Sequence, residues 1–122
     1  MSKSTKQFGD EGEEIAVKLL KKKGYEIIER NYRYGKGEID IIAKDPETNF
    51  TVFIEVKSRK NLEFGDPVYA VTKNKIKQIK RMAELYLYDK EIDEIDCRFD
   101  VITVLLRGKL KPVIEHYVNA FM

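Results

Sequence analysis

Four charged side chains interrupt two otherwise apolar runs in "GEIDIIAKDPETNFTVFIEVKSR", residues 37–59: Glu38, Asp40, Glu55 and Lys57. The runs read as two strands, about 37–44 and 50–58, joined by the turn Asp45-Pro46-Glu47-Thr48-Asn49. Side chains alternate across a strand, so Glu38, Asp40 and Ile42 share one face, as do Phe53, Glu55 and Lys57. With the turn centred between Glu47 and Thr48, Asp40 sits opposite Glu55 and Glu38 opposite Lys57, all four on one face. Two carboxylates so placed repel by roughly 3 kcal/mol at ~5 Å and an effective dielectric of ~20. Protonation of one acid, neutralisation by Lys57 or a divalent cation would offset that cost.

Mg²⁺ is typically held by one or two carboxylates together with waters and substrate phosphates, which suits positions 40 and 55. The Val56 main-chain carbonyl could complete the protein ligands. Lys57 is close enough to orient a water or a phosphate beside the metal, a layout for metal-assisted hydrolysis of a phosphodiester. Glu-x-Lys on an alternating strand is also common on a solvated sheet face. What separates this hairpin from that case is the acid at the matching cross-strand position.

The elements around the hairpin must position these groups. A first helix is expected over about 10–23, with Ile15, Ala16, Leu19 and Leu20 as its apolar stripe and Gly24 as its stop. Residues 25–34 read as a first strand. After a loop containing Gly65 and Pro67, a second helix runs from about Thr72 to Tyr88. It gathers Ile76, Ile79, Met82, Ala83, Tyr86 and Leu87 on one face. Residues 97–106 form a strand apolar at almost every position, hence buried on both faces, and a last strand covers about 112–118. The order is αβββαββ, an α/β mixed sheet with helices packed on it.

Length and composition limit the alternatives. At 122 residues, 43% apolar and 36% charged, the chain reads as one folded domain. No apolar run reaches a membrane span of roughly 20 residues, and the start lacks a signal-peptide core. One cysteine, Cys97, excludes an internal disulfide framework and fits a reducing cytoplasm. With His116 as the lone histidine, a usual zinc set is not available.

The net charge of +2 hides a strong asymmetry: residues 57–81 hold eight Lys or Arg against two acids, whereas 84–100 hold seven acids against two bases. Such a basic segment can follow a phosphate backbone. Its candidates are Arg59 and the helical Lys73 and Lys77, joined by Arg33 from the first strand; each also reads as an ordinary surface charge. By spacing Glu13 lies at the edge of the apolar stripe, where it could reach over the sheet toward a metal, but the preferred reading is a capping box with Asp10 as N-cap. Asp100, charged in an apolar strand, reads as structural and paired with an arginine. His116 reads as a surface position and Cys97 as a small core hydrophobe. Gln78 fits either a supporting polar residue or a solvated helix face.

The blocks "GDEGEEIAVKLLKKKGYEIIERNYRYGKGEIDIIAKD", "VFIEVKSRKNLEFGDPVYAV", "KIKQIKRMAELYL" and "RFDVITV" resemble the YraN-like proteins, also called the UPF0102 family. That family is assigned to the restriction-endonuclease-like superfamily and is similar to the archaeal Holliday-junction resolvases. The resemblance implies a three-layer fold with the catalytic hairpin in its sheet. It maps the PD-(D/E)xK motif onto Asp40 and Glu55-Val56-Lys57, with Ile39 where the motif has proline. It also implies that Asp40 and Glu55 bind Mg²⁺ or Mn²⁺, that Lys57 positions the water, and that Glu13 is a site acid rather than a cap. Its implied activity is a metal-dependent DNA endonuclease acting on branched DNA, cytoplasmic, not membrane-bound, and by analogy with resolvases a homodimer. The rival expectation is a nucleic-acid-binding or scaffold protein that keeps the fold and does not cut.

Overall fold

The computed structural model describes residues 5–60, 72–92 and 96–121. Helix α1 spans Thr5–Lys22 and is followed by strand β1, Glu26–Tyr34. Strands β2, Gly37–Lys44, and β3, Thr51–Arg59, form the hairpin. Helix α2 covers Lys73–Asp89, strand β4 Cys97–Arg107 and strand β5 Leu110–Tyr117. The observed order is the expected αβββαββ. Gly65 and Pro67 lie outside the described residues.

One five-stranded sheet runs β1-β2-β3-β4-β5, with β3 and β4 parallel and the other neighbours antiparallel. A parallel pair needs a crossover, and α2 supplies it between β3 and β4. Ala16, Val17 and Leu20 of α1 pack on Ile41, Ala43, Val52, Ile54, Ile102 and Val104. Met82, Ala83, Tyr86 and Leu87 of α2 pack on a second set, Ile39, Ile42 and Phe53. The result is three layers, helix on sheet on helix. This is the restriction-endonuclease-like arrangement, and it explains why the middle of β4, Asp100 to Val104, is buried on both faces. On the α2 side Tyr86 meets Phe53 edge-on, with ring centroids 5.8 Å apart, and Phe53 stacks on Phe99 at 5.5 Å.

Local chemistry sets the ends of both helices. Gly24, at φ 89°, turns the chain out of α1 while the Tyr25 N–H donates to the Leu20 carbonyl. Thr72 caps α2, its hydroxyl accepting the Lys75 N–H at 3.2 Å. α1 starts five residues before Asp10, which therefore sits inside the helix, and the expected capping box does not form. Val17 takes a fully packed place in its stripe, whereas Ile15 and Leu19 are only half-buried.

The hairpin register is the expected one: Ile41 pairs with Ile54, Ile42 with Phe53, Ala43 with Val52 and Lys44 with Thr51. The faces, however, depart from strict alternation. Ile39 and Ile42 both pack under α2, while Ile41 packs under α1. A strand cannot do this without a local irregularity, and it falls at Asp40. The β1–β2 pairing passes from Arg30–Ile41 to Tyr32–Ile39 over Asp40 and Asn31, and Asn31 has φ 54°. The expectation that Glu38, Asp40 and Ile42 share one regular face is corrected here.

Candidate active site

Where β2 and β3 stop pairing, a side chain takes over from the ladder. The last paired residues are Ile41 and Ile54, and beyond them the Asp40 carboxylate accepts the Val56 N–H at 2.8 Å. Asp40 therefore does not simply face Glu55 across a regular ladder. It fills the fork between two diverging strands and satisfies a backbone donor that the divergence leaves free.

A cleft of about 640 Å³ opens at this fork. Glu13, Glu38, Asp40, Val56 and Lys57 line it, and Arg33 and Arg59 contribute to its wall. Glu13 comes from α1, which lies close against β3 because position 12 is glycine; a Cβ there would collide with the Ser58 side chain. Glu13 is 7% exposed and meets the Arg30 guanidinium at 3.4 Å, while Arg30 also pairs with Glu14 at 2.6 Å. Burial, and then the charge of Asp40, push the Glu13 carboxyl above its ordinary range despite Arg30.

Glu55 is 6% exposed and does not reach the cleft surface. Its Oε1 lies 3.5 Å from Lys57 Nζ and 3.8 Å from Lys75 Nζ, and among the described residues its buried Oε2 has no hydrogen-bond partner. Burial and then the Asp40 charge raise its pKa from 4.5 to about 7, against the two lysines. Asp40 is raised as well, chiefly by burial and further by Glu38, although the Val56 N–H and the lysines oppose this. Three acids from α1, β2 and β3 thus share one field that disfavours their charged forms.

Oxygen donors on two adjacent strands, one of them an orphaned buried oxygen, fit a hard divalent cation. Among the described residues no group of three or more His, Cys, Asp or Glu side chains could hold a metal by itself. Mg²⁺ does not require one, since waters and substrate phosphates usually complete its shell.

The remaining sequence candidates divide. Arg59 lies at the cleft and donates to the Ser58 carbonyl at 3.0 Å, and Arg33 is largely exposed, 3.7 Å from Glu38. Lys73 and Lys77 are exposed on α2 and do not line the cleft, and Gln78 is exposed too. Lys75 was not singled out by sequence reasoning. A signal for it existed: Lys73, Lys75 and Lys77 follow the Thr72 cap, where the helix dipole disfavours cations.

Asp100 is structural, as its arginine pairing implied. It is fully buried and accepts from Arg98 Nε at 2.9 Å and from the Asn119 N–H at 2.9 Å. Arg98 also donates to Asp45 at 2.6 Å and to the Tyr25 hydroxyl at 2.9 Å. The surface assignment of His116 is overturned: its side chain is 4% exposed, with Nε2 2.7 Å from Asp100. Its Nδ1 lies 3.0 Å from Lys23 Nζ, and an ammonium can only donate. Nδ1 is then the acceptor, and Nε2–H donates to Asp100. Cys97 is partly buried against the α2 cluster.

Architecture and cleft together define a three-layer α/β protein with acids from a helix and a forked hairpin at one site. Residues 12–104 match the model of a family described as "Uncharacterised protein family UPF0102". A UPF0102 protein of Chlorobium phaeobacteroides is 45% identical, over 99% of this chain and 98% of its own length. Relatives from Trichlorobacter lovleyi and Geotalea daltonii are 44% and 47% identical, over 99% and 95% of this chain and 94% and 90% of their own. The chain belongs to the UPF0102 family.

Proposed function

We propose that the cleft is the active site of a metal-dependent endonuclease that hydrolyses phosphodiester bonds in DNA, with branched DNA as the substrate class that the resolvase analogy favours. The observation that carries this reading is Glu55, a buried carboxylate beside Asp40 with one oxygen unpartnered among the described residues. A fold has no structural use for that arrangement.

Asp40, Glu55 and the Val56 carbonyl would hold Mg²⁺ or Mn²⁺. The bound ion would lower the pKa of a water and offset charge growing on the phosphate. Lys57, beside Glu55 and lining the cleft, donates hydrogen bonds that place the attacking water or a phosphate oxygen. Glu13 accepts from waters on the α1 side of the fork. Arg33 and Arg59 steady the neighbouring phosphates, and Lys73 and Lys77 extend the contact along α2.

Calorimetry with Mn²⁺ tests the site before any substrate is known. Binding by the wild type that Asp40→Ala and Glu55→Ala each abolish, with circular dichroism unchanged, is the expected result. Absence of binding, with and without a short DNA to supply phosphate ligands, overturns the nuclease reading. A protein that binds DNA without metal, and equally well as Asp40→Ala, is the non-cutting alternative.

A further inference from the structure

The outer face of α2 carries a charged stripe that does not line the cleft, and the proposed DNA contact takes in only its first part. Lys73, Lys77, Lys80, Arg81, Glu84 and Tyr88 recur at helical spacing and form one stripe, turned away from the buried Ile79, Met82 and Tyr86. It is about 22 Å long at 1.5 Å per residue. Lys77, Lys80, Arg81, Glu84 and Tyr88 border a single open depression. Among the described residues none of the four cations has an ion-pair partner.

Helix stability does not account for this pattern. α2 has no acid in its first turn and no base in its last, the reverse of what its dipole favours. Tyr88, at the far end, is 87% exposed, so its ring face is open to a stacking partner. The near end adjoins the site, because Lys75, between Lys73 and Lys77, reaches Glu55 at 3.8 Å.

We infer that the outer face of α2 is a binding track for single-stranded nucleic acid, with Lys77, Lys80 and Arg81 on successive phosphates and Tyr88 stacking on a base. The substrate class rests on the nuclease reading; the surface itself rests on charge and exposure. A duplex keeps its bases stacked inside, out of reach of a ring on a helix face. A single strand offers phosphates and an open base together. The strand entering or leaving the cleft is therefore unpaired along α2, as at a branch, flap or overhang.

Fluorescence anisotropy of the full chain in EDTA, with labelled twelve-residue oligo-dT and a duplex of equal length, tests this across a salt series. The single strand should bind more tightly. Lys80→Ala with Arg81→Ala should lower the log–log salt slope by about 1.4, at about 0.7 per phosphate contact. Tyr88→Ala should weaken binding about fivefold or more with the slope unchanged, and Tyr88→Phe should restore it. An unchanged slope, or duplex preferred with Tyr88 silent, overturns the track. Mn²⁺ calorimetry on the same samples separates the two proposals. Strand binding that depends on Tyr88 in a protein without Mn²⁺ affinity leaves the track standing and removes the nuclease.

Discussion

Strand β2 holds Asp40 at the cleft and leads into Asp45 at the hairpin turn, and the two acids belong to opposite kinds of polar cluster. Around Asp45 and Asp100 the acceptors are filled: Asp100 takes bonds from Arg98, His116 and Asn119, and Asp45 from Arg98 and the Glu47 N–H. Although burial would raise both, these donors hold Asp45 and Asp100 below the ordinary carboxylate range. Around Glu13, Asp40 and Glu55 burial and mutual repulsion outweigh the donors, all three are raised, and among the described residues Glu55 Oε2 has no hydrogen-bond partner. Burial is similar at Glu55 and Asp100, so burial alone does not distinguish a structural acid from a functional one. Completeness of hydrogen bonding does.

The strongest way to break this contrast is deletion of each acid. Asp100→Ala leaves Arg98 buried without its main partner and should cost about 3–5 kcal/mol in urea unfolding. Glu55→Ala should cost far less, or stabilise, because it removes a carboxylate that the fold disfavours. Equal losses at both positions would make Glu55 structural as well.

A pH series without metal gives the next largest effect, and the signs differ between the clusters. The folded Glu55 pKa, about 7, stands above its unfolded value near 4.5. The folded state therefore binds the extra proton, and stability falls as pH rises between those values. At 1.36 kcal/mol per unit the loss is on the order of 3 kcal/mol, and Glu55→Gln should remove it. Asp45 and Asp100 act in reverse: their contribution is complete above about pH 4 and is lost as pH falls through their lowered values. Urea midpoints from about pH 3 to pH 9 would resolve both limbs.

Lys75→Met is the smallest and sharpest probe. Lys75 is partly exposed, so stability should change by only about 0–1 kcal/mol. The Glu55 carboxyl should nevertheless titrate higher than in the wild type, read by carbon-13 NMR. An unmoved titration would detach α2 from the site.

Much of this was legible in the chain. The Asp45–Asn49 turn set the register that pairs Ile41 with Ile54, and the helical spacing of Ile79, Met82, Ala83, Tyr86 and Leu87 marked the buried face of α2. Asp40 was located, but its hydrogen bond to the Val56 N–H was not. Alternation assumes an unbroken strand, and the left-handed Asn31 with the fork after Ile41 turns its carboxylate to a backbone donor. Glu13 looked like a cap because an Asp three residues before an acid is a local signal, whereas its burial depends on Gly12 against Ser58. His116 reads as surface on an edge strand until Asp100 and Lys23 are placed around it. Tertiary neighbours distant in sequence, Ser58 for Glu13, Val56 for Asp40 and Asp100 for His116, decided each of these.

The parallel pairing of β3 with β4 also sets an order of events during synthesis. Glu13, Asp40, Glu55 and Lys57 all lie within the first 60 residues, on α1 and an antiparallel hairpin that can form early. The far edge of β3, with Val52, Phe53 and Ile54, has no partner until Cys97 and beyond have left the ribosome. A nascent chain between those points carries all the site's acids while the apolar edge of β3 is still open, the surface on which chains of this kind would associate wrongly or meet a chaperone.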